Sequence, residues 1–184
     1  MKTDMEHAVV FAGFGGQGLL FAGQALARAA IREGLEVFWI PSYGPEMRGG
    51  TASCTVILSS DPIGSPVVDH FDAAVAMNPP SLRKFAPRLA PNGLLVRNDS
   101  LLCGESSGRT DLRELPLACT ELAAAGGDDS LVSVVALGAL VGATGWVSAQ
   151  AVRETLREMA AHKRPKIVTA DLAAFEAGMR AVNP

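Results

Sequence analysis

The chain has 184 residues, 48% of them apolar and 19% charged, with a formal net charge of −3. That length and apolar content suit one domain over residues 1–184, with a continuous core that needs no disulfide or structural metal. The slightly acidic balance offers no broad positive field and excludes nucleic acid as a partner, and Cys54, Cys103 and Cys119 are spaced too widely for a disulfide framework or a metal cradle.

Met1 to His7 lack the apolar core of a signal peptide, so a cytoplasmic protein with reduced thiols is expected. Ala8 to Ala12 form a short apolar run closed by glycine, which suits a strand buried on both faces. A helix is predicted from Gly18 to Glu33, with Gln24, Arg28 and Arg32 outward and Gly34 as its left-handed stop. Glu36 to Ile40 read as a second strand, Pro41 to Gly50 as a loop and Thr51 to Leu58 as a third strand. The loop between these strands is too short for a crossover helix, so an antiparallel pair or an edge strand, and hence a mixed sheet, is predicted.

Ala73 to Met77 should form another strand and Ser81 to Leu89 a helix interrupted by Pro87. Pro91-Asn92-Gly93 is then expected to turn into a strand over Leu94 to Val96, with a last strand over Leu115 to Cys119. Gly104 to Asp111 reads as a flexible stretch. Helices are predicted over Glu121 to Ala125, Leu131 to Ala143, Ser148 to His162 and Asp171 to Val182, with Ser148 as an N-cap. Leu131 to Ala149 carry no charge and approach the length of a membrane span, but the glycines and the alternation of strands and helices around them favour a buried core helix. The fold class is a three-layer α/β/α, Rossmann-like domain with a mostly parallel or mixed sheet.

Gly13-Phe14-Gly15-Gly16-Gln17-Gly18 satisfies G-x-G-x-x-G between a predicted strand and helix, where glycines let backbone amides approach an anion. A dinucleotide site would also place an acidic residue at the far end of the second strand, to hold the ribose hydroxyls. That strand ends Trp39-Ile40-Pro41-Ser42 without one. Contact with a ligand or a partner, and a plain structural turn, both stand as readings of this loop. The second candidate is Pro41 to Ala52, where glycine and proline present Tyr43, Glu46 and Arg48 beside Gly49 and Gly50. Arg48 could meet a carboxylate or phosphate through charge-assisted bonds, or brace the loop by pairing with Glu46. His7, His70 and His162 read as solvated or turn residues rather than metal ligands.

At these residues the sequence resembles the gamma subunits of 2-oxoacid:ferredoxin oxidoreductases, especially the 2-oxoglutarate branch. The matching blocks are Gly13 to Gly18, Pro41 to Ala52, Asp61 to Pro66, Ala76-Met77-Asn78, Ala136-Leu137-Gly138-Ala139 and Ala174 to Gly178, and they span nearly the whole chain. Ser133 and Asp171 depart from the asparagines usual in that family. The resemblance implies partner alpha and beta subunits, ferredoxin as electron acceptor, and thiamine diphosphate, iron–sulfur clusters and coenzyme A in the complex. None of these cofactors is expected on this chain alone. Gly127-Asp128-Asp129 lacks the closing glycine of a thiamine diphosphate motif, and grouped cysteines are missing.

The implied role is support of the active site and of assembly, with Gly13, Gly15, Gly16, Gln17, Gly18, Tyr43, Glu46, Arg48, Gly49 and Gly50 facing partner subunits or a ligand and no residue catalytic. Self-association of the isolated chain is expected, and no membrane contact. Two alternatives are a subunit of an indolepyruvate oxidoreductase and a free-standing nucleotide- or phosphate-binding module.

Overall fold

The computed structural model describes residues 5–43, 51–161 and 165–182. Six strands form one sheet: β1 (Glu6–Phe14), β2 (Glu36–Tyr43), β3 (Thr51–Ser59), β4 (Phe71–Ala76), β5 (Leu89–Asn98) and β6 (Arg113–Leu117). Their order across the sheet is β2-β3-β1-β4-β5-β6. The β1/β4, β4/β5 and β5/β6 pairs are parallel, whereas β3 runs antiparallel to both β1 and β2. The mixed sheet anticipated from the short β2–β3 connection is therefore present, with β2 at the edge.

Among the described residues, seven α-helices complete the architecture: α1 (Leu19–Arg32), α2 (Pro79–Phe85), α3 (Asp99–Leu102), α4 (Cys119–Ala125), α5 (Val132–Thr144), α6 (Ala149–Met159) and α7 (Pro165–Val182). The larger core packs α1, α4, α5, α6 and α7 on one face of the sheet, and the smaller packs α2 and α3 on the other. α5 is buried along most of its length, which accounts for a helix without charge or a polar side. At 13 residues it is a core element, and no helix among the described residues is long and apolar enough to cross a membrane.

Several elements differ from their sequence-based bounds for identifiable reasons. α2 begins at Pro79, two residues earlier than predicted, because Asn78 Oδ1 accepts a bond from the Ser81 amide at 2.9 Å and proline suits the first helical position. Pro91-Asn92-Gly93 is an irregularity inside β5 rather than a turn before it. Phe71 pairs with Leu89 and Ala73 with Leu94, so the extra residues bulge out and Asn92 takes a φ of 63°. α7 begins at Pro165 rather than Asp171. The Gly104 to Asp111 stretch is laced down rather than free. The buried Arg97 binds Asp99 and the Glu105 carbonyl, both at 2.8 Å, and meets Glu114 at 3.1 Å, while Arg109 donates to the Ala86 and Leu89 carbonyls. A guanidinium with this little solvent must be paired, so the segment folds around it.

Candidate functional site

β1 and β4 are neighbouring parallel strands whose chains leave the sheet in opposite directions. After β1 the chain turns into α1 on the larger-core face; after β4 it passes Met77 and Asn78 into α2 on the other. The Met77 amide bonds the Ala12 carbonyl at 2.9 Å and holds the two strand ends side by side. This reversal opens a crevice beyond the carboxyl ends of the strands, where open α/β sheets place their ligands. Because β3 is antiparallel, its first residues reach the same end, Thr51 opposite Phe14 and Ala52 opposite Gly13.

The glycine turn is built from within. Gln17 Oε1 accepts the Phe14 amide at 2.7 Å and the Gln17 amide bonds the Phe14 carbonyl at 3.3 Å, so residues 14–17 close on themselves. A side chain on Gly13 would run into Gln17 Oε1 and come within 2.8 Å of Met77 Cβ. Gly18 is the N-cap of α1 at φ 75°, and a Cβ there would lie 2.6 Å from Ser133 Oγ. Gly15 and Gly16 are exposed at the tip, Gly16 with a φ of 95°. α1 has neither a side-chain cap nor an acidic residue in its first turn, which leaves the positive end of its dipole unneutralised by its own residues.

Tyr43 ends β2 and is 68% exposed at the same end of the sheet. Glu46, Arg48, Gly49 and Gly50 lie outside the described residues. Sequence reasoning gave no role to Ser133, which is 1% exposed under Gly18. It read Asn78 only as part of a resemblance, although Asn-Pro-Pro is a legible helix start.

β3 lies between β1 and β2, so the tip of β2 stands one strand further from the glycine turn than in a dinucleotide fold, where the first two strands are neighbours. Among the described residues at the tip of β2, Pro41-Ser42-Tyr43, no acid stands ready to hold a ribose. Asp128 is committed to its own turn: its carboxylate accepts from the Ser130 amide at 3.0 Å and from the hydroxyl at 2.5 Å, bonds that hold its pKa below the ordinary range.

His7 is not simply solvated. Its ring stacks on Trp146 with centroids 4.2 Å apart and planes 11° apart, and Nδ1 lies 3.9 Å from Asp72. Desolvation lowers its pKa, against the opposing pull of Asp72. His70 is exposed, and His162 lies outside the described residues. Burial pushes the thiols of Cys54 and Cys119 up to about 12, while Cys103 is exposed at the end of α3. Three thiols on separate elements, two of them held protonated, do not fit an iron–sulfur cluster.

Fold and crevice thus define an α/β domain of the kind that meets a ligand or partner at a topological switch point, with no ribose-holding acid among the described residues at the tip of β2. The chain belongs to the pyruvate ferredoxin/flavodoxin oxidoreductase family, whose model matches residues 8–181. It is 41% identical to the ketoisovalerate oxidoreductase subunit VorA of Methanothermobacter thermautotrophicus over 94% of this chain, but spans only 36% of that relative's length. It is 33% identical to the 2-oxoglutarate synthase subunit KorC of the same organism, covering 95% of this chain and 94% of that one. The crystal structure of a keto/oxoacid ferredoxin oxidoreductase gamma subunit from Geobacter sulfurreducens superposes with a TM-score of 0.82 at 28% identity, covering 96% of this chain and 98% of that one.

Proposed function

We propose that this chain is the gamma-type subunit of a multi-subunit 2-oxoacid:ferredoxin oxidoreductase, which oxidatively decarboxylates a 2-oxoacid to an acyl-CoA and passes the electrons to ferredoxin. The observation that carries this reading is the near end-to-end match to a 2-oxoglutarate synthase subunit, combined with a crevice at the strand ends. Thiamine diphosphate and iron–sulfur clusters supply the carbanion and electron-transfer chemistry in such a complex. The thiols and Asp128 here do not fit those groups, so no chemical step is assigned to this chain.

The contribution of this chain is to bind and orient. The self-braced turn from Gly13 to Gly18 and the exposed Tyr43 present amide and hydroxyl groups at one end of the sheet, and Arg48, five residues after Tyr43 in the sequence, adds a cation suited to a carboxylate or phosphate. Choice of acid then falls to the thiamine-binding partners, and 2-oxoglutarate is one candidate beside the branched acid named for the more identical relative.

Arg48→Ala in the assembled enzyme tests the role. Losing a charge-assisted bond in a partly dry interface should cost about 1.5–3 kcal/mol, roughly tenfold to hundredfold in kcat/KM, with the thermal midpoint of the isolated chain little changed. Full activity with unchanged Michaelis constants for coenzyme A and the 2-oxoacid would reduce Arg48 to a loop brace.

A further inference from the structure

A recess of about 100 Å³ lies across β1 from the glycine turn, on the α2 side of the sheet. Its floor follows from strand alternation. Cys54 packs against Gly23 of α1, so Ser53 must point to the opposite face, and its register partner Ser42 points with it. Thr51, two residues before Ser53, continues this row at the strand end and is paired with Phe14. The wall is one side of α2, contributed by Ser81, Lys84 and Phe85. Ala12, opposite Ser53, carries too small a side chain to fill the gap between the hydroxyls and the helix.

The chemistry of this lining is one-sided. Ser42, Thr51, Ser53 and Ser81 contribute hydroxyl groups to the lining, and among its described lining residues Lys84 is the only charged side chain and none carries a carboxylate. The neighbouring Arg83 is neutralised by a two-point pair with Glu105, at 2.9 and 3.1 Å. The Lys84 ammonium instead stands 5.2 Å from the Phe85 ring centroid, and among the described residues no acid pairs with it. The volume corresponds to about three waters, enough for one compact anionic group.

We propose that Ser42, Thr51, Ser53 and Lys84 form an anion subsite at the switch point, taking a phosphate or carboxylate group of a molecule that also reaches the glycine turn. It lies beside Phe14, which belongs to that turn, so one ligand can span both sides of β1. The reading deepens the proposed function and rests on it only for the identity of the ligand.

The test has two arms. In the first, the full chain labelled with nitrogen-15 is titrated with inorganic phosphate at constant ionic strength. Saturable amide shifts at Ser42, Ser53 and Lys84 are expected, with affinity weakened about tenfold in Lys84→Ala and largely restored in Lys84→Arg. Absent shifts, or equal shifts in the alanine variant, would overturn the subsite.

In the second arm, the assembled enzyme carrying Lys84→Ala is assayed with coenzyme A and the 2-oxoacid varied separately. A raised KM for coenzyme A identifies a phosphate as the bound group, and a raised KM for the acid identifies its carboxylate. Phosphate binding with both constants unchanged means an adventitious ion only and overturns the proposal. A complex that turns over no 2-oxoacid would refute the proposed function while the titration still decides the subsite.

Discussion

The imidazole of His7 is held between Trp146, within the α5–α6 connection, and the carboxylate of Asp72, whose Oδ2 also accepts the Ala8 amide at 2.8 Å. His7, Asp72 and Trp146 line a shallow recess of their own, which Arg113 also borders. Burial disfavours the charged ring more than Asp72 favours it, so the folded pKa lies below the ordinary 6.5. The sign follows from linkage: with the folded value lowered, the unfolded chain binds the proton first, and stability falls as pH drops through 6.5 toward the folded value. The urea midpoint is therefore expected to decline as pH falls below the ordinary 6.5, and His7→Phe, which keeps the stack, should flatten that decline. Parallel pH profiles for the two proteins would show that His7 contributes nothing. Nothing in the local sequence marked this histidine, because both its partners are remote in the chain. The glycine turn was legible for the opposite reason: Gly13, Gln17 and Gly18 interact within six residues, whereas Ser133 beneath them could only be found in three dimensions.

Two helices cross where two motifs of the sequence meet. Gly138 of α5 and Gly178 of α7 face each other so closely that a methyl group on Gly138 would strike the Phe175 carbonyl and lie 3.0 Å from the Met179 amide. One on Gly178 would strike the Val135 carbonyl and lie 2.8 Å from the Ala139 amide. Both obstacles are backbone, which cannot rotate aside. Alanine would gain about 1 kcal/mol of helix propensity at either position, but forcing the crossing apart should outweigh it, for a net loss of about 2 kcal/mol or more. Gly138→Ala and Gly178→Ala should each lower the thermal midpoint, and the double variant should lose less than the sum because one widened crossing serves both. A raised midpoint in either single variant would refute the close contact. Both motifs, Ala136-Leu137-Gly138-Ala139 and Ala174 to Gly178, were visible in the sequence, but not that they pack against each other. Most strand and helix identities were readable because apolar runs and caps are local, but the four-residue α3 was not predicted. The misplaced boundaries fell where the deciding bond was distant, as for the β5 bulge opposite Asp72, or where a proline start at Pro79 or Pro165 was passed over.

At the scale of the molecule, coverage differs sharply between relatives: the chain spans 36% of one relative's length and 94% of another's. One fold thus occurs both as part of a longer chain and nearly alone, which is expected if the remaining parts must be supplied either in the same chain or by separate subunits. The chain has a conspicuous surface to offer them. Edge strand β2 leaves its outer backbone unpaired among the described residues and carries Phe38, Trp39 and Tyr43 at 39%, 36% and 68% exposure. Such an edge favours association with another chain. Two outcomes are expected. Purified alone, the chain should give no 2-oxoacid-dependent reduction of a viologen dye in the presence of coenzyme A, and its apparent mass in light scattering should rise with concentration as β2 finds a substitute partner. Adding the remaining subunits should suppress the self-association and restore turnover together, because both depend on the same docking. Turnover by the isolated chain would sink the subunit reading. A concentration-independent monomer that still restores activity would move the docking surface away from β2, and Trp39→Lys, which places a charge on that strand, would then leave assembly unaffected.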